Sequence, residues 1–320
     1  MRAVFFGSPD YALPTLRGLL DAPDVEVVAV VTQPDRPRGR SGAAVPTPVK
    51  TLAVEAAVPV IQPERMRREQ TEQLSALRPD VGIVAASGHI LPVHLLEAFP
   101  HDVLNVHASL LPRHRGASPV AAAILAGDEA TGASLMRVVR TVDAGPVIAQ
   151  VSTPIGPLDT TASVTDRVAE LGAELLLETL PRWLDGAVEA VTQDERDATY
   201  APRLARPDGV IDWTEAAVDI WRRVRAFQPW PQATTRYGDQ PFTVHEAWPI
   251  EADVAAPPGE VVAGGGAELS ESLPGRMAAA VVACGTGSLA LLRVQRAGRR
   301  AIEIEQYLNG DRELIGSRLG

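Results

Sequence analysis

Residues 103–119 read VLNVHASLLPRHRGASP, and this stretch constrains the chain more than any other. Val103 to His107 alternates in the manner of a short strand, and Asn105 and His107 stand two apart, so their side chains leave the same face. Ser109 opens a turn, Pro112 stiffens it and Gly116 permits a tight bend before Ala117 to Leu125 resumes a helical pattern. A strand therefore delivers a carboxamide and an imidazole to one spot, then breaks into a rigid loop and a helix. In open α/β sheets the ligand crevice lies outside the carboxyl ends of the strands, where these two side chains would stand.

The upstream sequence predicts the sheet that such a strand needs. Arg2 to Phe6 is apolar and ends at Gly7-Ser8-Pro9-Asp10. Tyr11 to Leu20 has helical spacing, and Val25 to Thr32 is a second, unalternating apolar run. Unalternating β-branched runs belong to strands covered on both faces, and strand, turn, helix, strand begins a parallel α/β sheet. Val81 to Ala85 and Ala133 to Val139 extend the pattern. No Gly-x-Gly-x-x-Gly follows the first strand, which argues against dinucleotide binding. Ser163-Val164-Thr165-Asp166 reads as a capping box for a helix with Val164, Val168, Leu171 and Leu175 on one stripe, Pro181 kinking its last turn and Gly186 as its stop.

Beyond Gly186 the character changes. A polar stretch reads as a surface linker, and from Gly209 short apolar runs separated by Gly and Pro suggest a small barrel. Ala216 to Phe227 reads as a helix, and Gly264 to Gly275 as an excursion from the barrel. We therefore expect domains at 1–188 and 207–320 joined by a linker at 189–206, a division that 320 residues accommodate. Apolar stretches are too short to span a bilayer, MRAVFFGSPD lacks a secretory pattern, and the single cysteine, Cys284, lies in an apolar run that reads as core; the expected compartment is the cytoplasm. His89, His94 and His101 lack metal-ligand spacing and read as ordinary loop or surface histidines, so no metal is expected.

At Asn105-Val106-His107, Ser109-Leu110-Leu111-Pro112 and Arg115-Gly116 the chain resembles the folate-dependent formyltransferases, and Gly7 to Asp10 matches the usual opening of that family's catalytic domain. The resemblance implies a Rossmann-like formyltransferase domain with a parallel-rich sheet, followed by a smaller C-terminal, OB-like β-barrel. It implies 10-formyltetrahydrofolate as the formyl donor. Asn105, His107 and Asp143 become the expected catalytic residues, the last by alignment with the family's aspartate. Ser109, Leu110, Leu111 and Pro112, with Ile90 and Leu91 from the loop after Ala85, become the expected folate contacts. Formyl transfer to an amine builds charge on the formyl oxygen, which needs fixed donors; it also requires one proton to leave the amine and another to reach the departing nitrogen. A carboxamide, an imidazole and a carboxylate suit those tasks. Arg115 has two readings, a structural arginine pinning its loop or a substrate contact.

Ala198-Thr199-Tyr200-Ala201-Pro202, Ile211-Asp212-Trp213, Arg225-Ala226-Phe227 and Pro229-Trp230-Pro231 extend the resemblance over the second half, toward the members that formylate methionyl-tRNA. Methionyl-initiator tRNA is then the implied partner, with no membrane and no obligate protein partner. The net charge of −10 argues against a general nucleic-acid binder, so RNA contact must come from a local patch. Arg36, Arg38 and Arg40 lie in a long loop that reads either as a solvated surface excursion or as a grip on a polyanion; the resemblance favours the grip. Arg222, Arg223, Arg299 and Arg300 are the further expected tRNA contacts, arginine being suited to phosphate. Two alternatives are a formyltransferase acting on a sugar nucleotide and a catalytically silent RNA-binding relative.

Overall fold

The computed structural model describes residues 1–37, 42–265 and 276–320. Contacts gather the chain into two units: Met1–Pro119 with Ala130–Pro154 and Thr165–Ala201, and Val120–Glu129 with Ile155–Val164 and Pro202–Gly320.

The first unit opens with β1 (Arg2–Gly7), α1 (Leu13–Asp21), β2 (Glu26–Val31), a two-residue ribbon of β3 (Arg36–Pro37) and β4 (Ala44–Val45), α2 (Pro48–Glu55) and β5 (Val60–Ile61). It continues through α3 (Arg68–Ala76), β6 (Val81–Ala85), α4 (Val93–Leu96), β7 (Val103–His107) and β8 (Arg115–Gly116). After α5 (Pro119–Ala126), which contacts assign almost wholly to the second unit, come β9 (Ala130–Arg137), β10 (Val147–Pro154), α6 (Thr161–Leu184), whose first turn also belongs to the second unit, and β11 (Tyr200–Ala201). The main sheet has the order β10-β9-β7-β6-β1-β2-β5. Five strands run parallel, and β9 and β10 complete one side antiparallel. β1 and β6 are buried almost throughout, as their unalternating sequences require, whereas the outermost β10 is mostly half-exposed. The chain leaves β1 toward β2 on one side and returns to β6 on the other, so the strand order reverses beside β1. That switch point is where such sheets bind ligands. Ser8 ties the carboxyl ends of three strands together: its hydroxyl donates to the Ser87 carbonyl at 3.1 Å and accepts the Gln33 N–H at 3.1 Å.

In the second unit, α7 (Ala217–Ala226) packs on a curled antiparallel sheet. Its strands are β12 (Ala233–Tyr237), β13 (Gln240–Ile250), β14 (Val261–Ala263), β15 (Ala280–Ala283), β16 (Ser288–Arg296) and β17 (Ile302–Glu303), with α8 (Ile304–Gly310) after them. The order is β12-β13-β16-β15-β14, with β17 added to β16. The two outer strands are joined through the chain's last residues. Leu319 bridges Tyr237 and Arg318 bridges Glu260, while the Leu319 N–H donates to the Gly259 carbonyl at 2.8 Å. Gly259 has φ +88°, and a side chain there would meet the Leu319 carbonyl, so glycine is what lets the tail pass. Cys284 is buried in this unit's core, where burial pushes its thiol up to about 12. The core reading of that residue holds.

Three local expectations are corrected. α6 is capped one turn earlier than predicted: the Thr160 hydroxyl accepts the Ser163 N–H, and the Ser163 hydroxyl accepts the Thr160 N–H. The reciprocal pair thus begins at Thr160 and not at Ser163. The buried stripe also turns slightly, with Leu176 and Leu180 inside while Leu171 and Leu175 are half-buried, and Pro181 is carried within the helix. Finally, the segment after Gly186 does more than drape over the surface. Val191 exchanges backbone hydrogen bonds with Val147, and β11 pairs in parallel with β8. Most of the predicted excursion at 264–275 lies outside the described residues. Among those described, no helix is long and apolar enough to cross a membrane.

Candidate active site

β7 sits between β6 and β9, with Asn105 opposite Val84 and Met136, and His107 opposite Ser134. Its carboxyl end therefore opens beside the switch point. Asn105 is half-buried, and its carboxamide has no hydrogen-bond partner among the described residues. His107 is buried, and its Nε2 lies 3.1 Å from the His114 carbonyl. A carbonyl only accepts, so Nε2 carries the proton and Nδ1 is left as the basic atom. Nδ1 faces Asp143 Oδ1 at 3.7 Å. The second carboxylate oxygen of Asp143 accepts the Gly116 N–H at 2.8 Å. An imidazole from β7 and a carboxylate from the loop between β9 and β10 thus converge, 36 residues apart in sequence.

Gly116 has φ +118°, and any side chain there would run into the Ala201 carbonyl. This position therefore needs glycine both for its backbone and for the approach of β11. Asp143 itself has φ +51°, a left-handed conformation in which aspartate is one of the few tolerated side chains. The loop carrying it is bonded from outside. Gln193 Nε2 donates to the carbonyls of Asp143 at 2.9 Å and Gly145 at 2.6 Å. Its Oε1 accepts from Arg115 Nε at 3.0 Å and from a terminal guanidinium nitrogen at 2.9 Å. The remaining Arg115 donors form a two-pronged pair with Glu195, each contact 2.9 Å. Arg115 is almost fully buried and its guanidinium is committed on every side, which decides between its two readings: it pins the loop. The hydrogen bond from Arg115 holds the Glu195 carboxyl below the usual carboxylate range.

The loop after β7 is organised by two residues that the sequence did not single out. Ser134 is wholly buried; its hydroxyl donates to the Ser109 carbonyl at 2.6 Å and accepts the Leu111 N–H at 3.0 Å. Gln150 Nε2 donates to Ser134 Oγ at 2.8 Å and to the Leu111 carbonyl at 2.9 Å. Ser134 lies opposite both His107 and Gln150 in register, so one row across three strands carries the imidazole and the support of its neighbouring loop. Only the pairing of distant strands reveals this.

The expected folate contacts are placed unequally. Ile90 is 89% exposed, while Leu91 packs half-buried against the core. Leu110 and Pro112 are half-buried and Leu111 is buried. Ser109 is fully buried, with its hydroxyl donating to the Arg113 carbonyl at 2.6 Å, so it shapes the loop from within. Leu111 and Pro112 also line an open cavity of about 330 Å³ with residues of β10 and the 191–194 segment.

Among the expected tRNA contacts, Arg36 is exposed and 3.6 Å from Glu64, and Arg38 and Arg40 lie outside the described residues. In the second unit, Arg222 pairs with Asp219 at 3.1 Å and Arg223 forks onto Glu215 at 2.8 Å. Arg299 and Arg300 are exposed, with no ion-pair partner among the described residues. His89 and His94 are engaged locally, with the Pro63 carbonyl and the Thr71 hydroxyl. No group of three metal-ligating side chains occurs among the described residues.

A formyl transferase family model matches residues 1–180, and a formyl transferase C-terminal domain model matches residues 203–312. The chain belongs to the formyl transferase family. A methionyl-tRNA formyltransferase of Methylococcus capsulatus is 43% identical over the whole of both chains, and one of Bacillus licheniformis is 41% identical over all of this chain and 98% of its own. Among solved structures, the sugar 3N-formyltransferase WlaRD superimposes with a TM-score of 0.65 at 14% identity, covering 94% of this chain and 99% of its own. HypX from Aquifex aeolicus, solved with tetrahydrofolic acid, gives 0.58 at 19% identity. The chain spans about half of HypX's length, matching 96% of itself to 47% of that protein. At such identities these structures share the formyl transferase fold with this chain.

Proposed function

We propose that the protein transfers the formyl group of 10-formyltetrahydrofolate to the α-amino group of methionyl-initiator tRNA. The convergence of His107 Nδ1 and Asp143 beside the Asn105 carboxamide, which has no partner among the described residues, at the open end of β7, carries the chemical part of this reading. End-to-end similarity to methionyl-tRNA formyltransferases, second domain included, supports the substrate.

The residues present suit a folate. A donor without a partner among the described residues stands at the strand end, and Ile90 displays an apolar side chain in the loop after the adjoining strand β6. Asn105, with the backbone of the 109–112 loop and Ile90, would hold it. When bound, 10-formyltetrahydrofolate supplies the one-carbon acyl group and the nitrogen that releases it. Asn105 presents its free N–H donors to the acyl oxygen, where negative charge builds; one such donor is typically worth about 100 to 1,000-fold in rate. His107 accepts the amine proton at Nδ1, because Nε2–H is already given to the His114 carbonyl. The Asp143 carboxylate stabilises the imidazolium that results, and the same imidazolium returns its proton to the departing nitrogen. Exposed arginines, Arg36, Arg299 and Arg300 foremost, contact tRNA phosphates, joined by Arg38 and Arg40, which are close to Arg36 in sequence.

The deciding assay offers the protein 10-formyltetrahydrofolate with either methionyl-tRNA or a 4-amino-sugar nucleotide. Formylation of methionyl-tRNA alone is expected; formylation of the sugar nucleotide instead would overturn the substrate assignment, and no formylation of either would overturn the enzyme.

A further inference from the structure

We infer that Gln193 is a positioning residue for Asp143, holding its carboxylate toward His107 from a segment 50 residues downstream. The inference rests on the proposed role of Asp143 in formyl transfer. Asp143 occupies a left-handed backbone conformation, which a non-glycine residue keeps only where its surroundings hold it there. Two groups supply that hold. The Gly116 N–H grips the carboxylate itself, and the Gln193 amide bridges the carbonyls of Asp143 and Gly145, one on each side of Ala144. Gly145 cannot accommodate a side chain because the Arg137 carbonyl fills that space, so the loop is pressed against β9 on one side and tied to Gln193 on the other.

The Gln193 amide has little freedom to choose another partner. Its oxygen takes two Arg115 donors, which fixes which end of the amide is the NH2 and points it at the two carbonyls. Arg115 is held in turn by Glu195, and the segment carrying both acceptors is anchored by Val191 on Val147 and by β11 on β8. Arg115 and Gly116 are adjacent in sequence. One end of this two-residue strand therefore reaches Asp143 directly, through the Gly116 N–H, and the other reaches it through Gln193. A shift of about 1 Å in a group that must face the reacting centre is enough to cost about 100-fold in rate, and the Nδ1 to Oδ1 separation is already 3.7 Å.

Gln193→Glu separates this role from general support. A carboxylate there still accepts from Arg115, preserving that pairing, but has no N–H for the Asp143 and Gly145 carbonyls. In the full-length protein, with 10-formyltetrahydrofolate and methionyl-tRNA, kcat should fall at least about tenfold while both KM values stay within about twofold. The decisive measurement is the cycle of wild type, Q193E, D143A and the double variant. If Gln193 acts through Asp143, Q193E changes kcat less than twofold once Asp143 is gone. An equal loss in both backgrounds, or no loss in the wild-type background, overturns the inference while leaving the role of Asp143 intact. Wild-type kcat in D143A would instead remove that role and the inference with it. Should Q193E fold poorly, Gln193→Leu, which keeps the shape and lacks the donors, enters the same cycle with the same criteria.

Discussion

Replacing Ser134 by alanine removes one oxygen and should loosen the loop on which the folate contacts depend. The Ser134 hydroxyl satisfies two backbone groups, the Ser109 carbonyl at 2.6 Å and the Leu111 N–H at 3.0 Å, and receives a third hydrogen bond from Gln150. Gln150 keeps a partner after the change because it also donates to the Leu111 carbonyl. The two backbone groups do not, and both belong to buried residues, Ser109 at 0% and Leu111 at 5% exposure. Each buried group left without a partner costs about 1–3 kcal/mol, so after local relaxation S134A should lose roughly 2–4 kcal/mol. That is a large part of a domain's usual stability of about 5–15 kcal/mol. Urea unfolding followed on the first unit's transition should show a lower midpoint with an unchanged slope. The KM for 10-formyltetrahydrofolate should rise while that for methionyl-tRNA stays level. A loss under about 0.5 kcal/mol, with folate KM unchanged, would show that Ser134 does not organise the loop.

Other consequences are equally direct. Asn105→Ala should lower kcat by about 100 to 1,000-fold with little change in thermal midpoint, as removal of a donor to the acyl oxygen that holds no other described residue; single-turnover formylation would measure it. Charge reversal of Arg299 and Arg300 should weaken methionyl-tRNA binding and flatten its dependence on log salt by about 0.7–0.9 for each phosphate that is no longer neutralised, whereas reversal of Arg223 should chiefly destabilise, since it would face Glu215. The Glu195 carboxyl has its pKa lowered in the fold, so its contribution is complete above the ordinary glutamate value of about 4.3 and disappears as pH falls through the lowered value. The thermal midpoints of wild type and E195Q should accordingly differ at pH 7 and converge as the pH is taken down through that lowered value. Gly259→Ala should destabilise the second unit selectively, because a methyl group there meets the Leu319 carbonyl at a positive φ; a separate calorimetric transition that fails to move would refute the closure described for that sheet.

How much the sequence disclosed depended on the range over which each feature acts. Buried parallel strands announce themselves through unalternating runs such as Val81 to Ala85, because both faces must be apolar. Asn105 and His107 share a face through a local two-residue period. Asp143 was reached only through resemblance, since nothing in Thr-Val-Asp-Ala-Gly-Pro distinguishes a catalytic carboxylate from a turn former. Ser134, Gln150 and Gln193 carried no signal at all. A serine in a strand and a glutamine in a polar segment become meaningful only when register sets them against particular backbone groups. The cap of α6 was misplaced for a related reason: Thr160 and Ser163 both carry hydroxyls, and the sequence does not say which of two candidate turns is the first.

The segment after Gly186 bears on how a polar linker should be read. Its mixture of charged and polar residues with alanines, lacking any run of large apolar side chains, denies it a core of its own, and its polar residues supply donors and acceptors for another element's unpaired backbone. Here that element is the loop carrying Asp143, where the carbonyls of Asp143 and Gly145 both accept from the Gln193 amide. A residue in an unfavourable backbone conformation needs partners that its own strands cannot give, and a segment without regular structure is free to provide them. The apolar strands thus fix where Asn105 and His107 stand, while the polar segment fixes where Asp143 stands. Substitutions in the two should accordingly fail in different ways: strand-core variants by unfolding, and variants of Gln193 by losing turnover from a protein that remains folded.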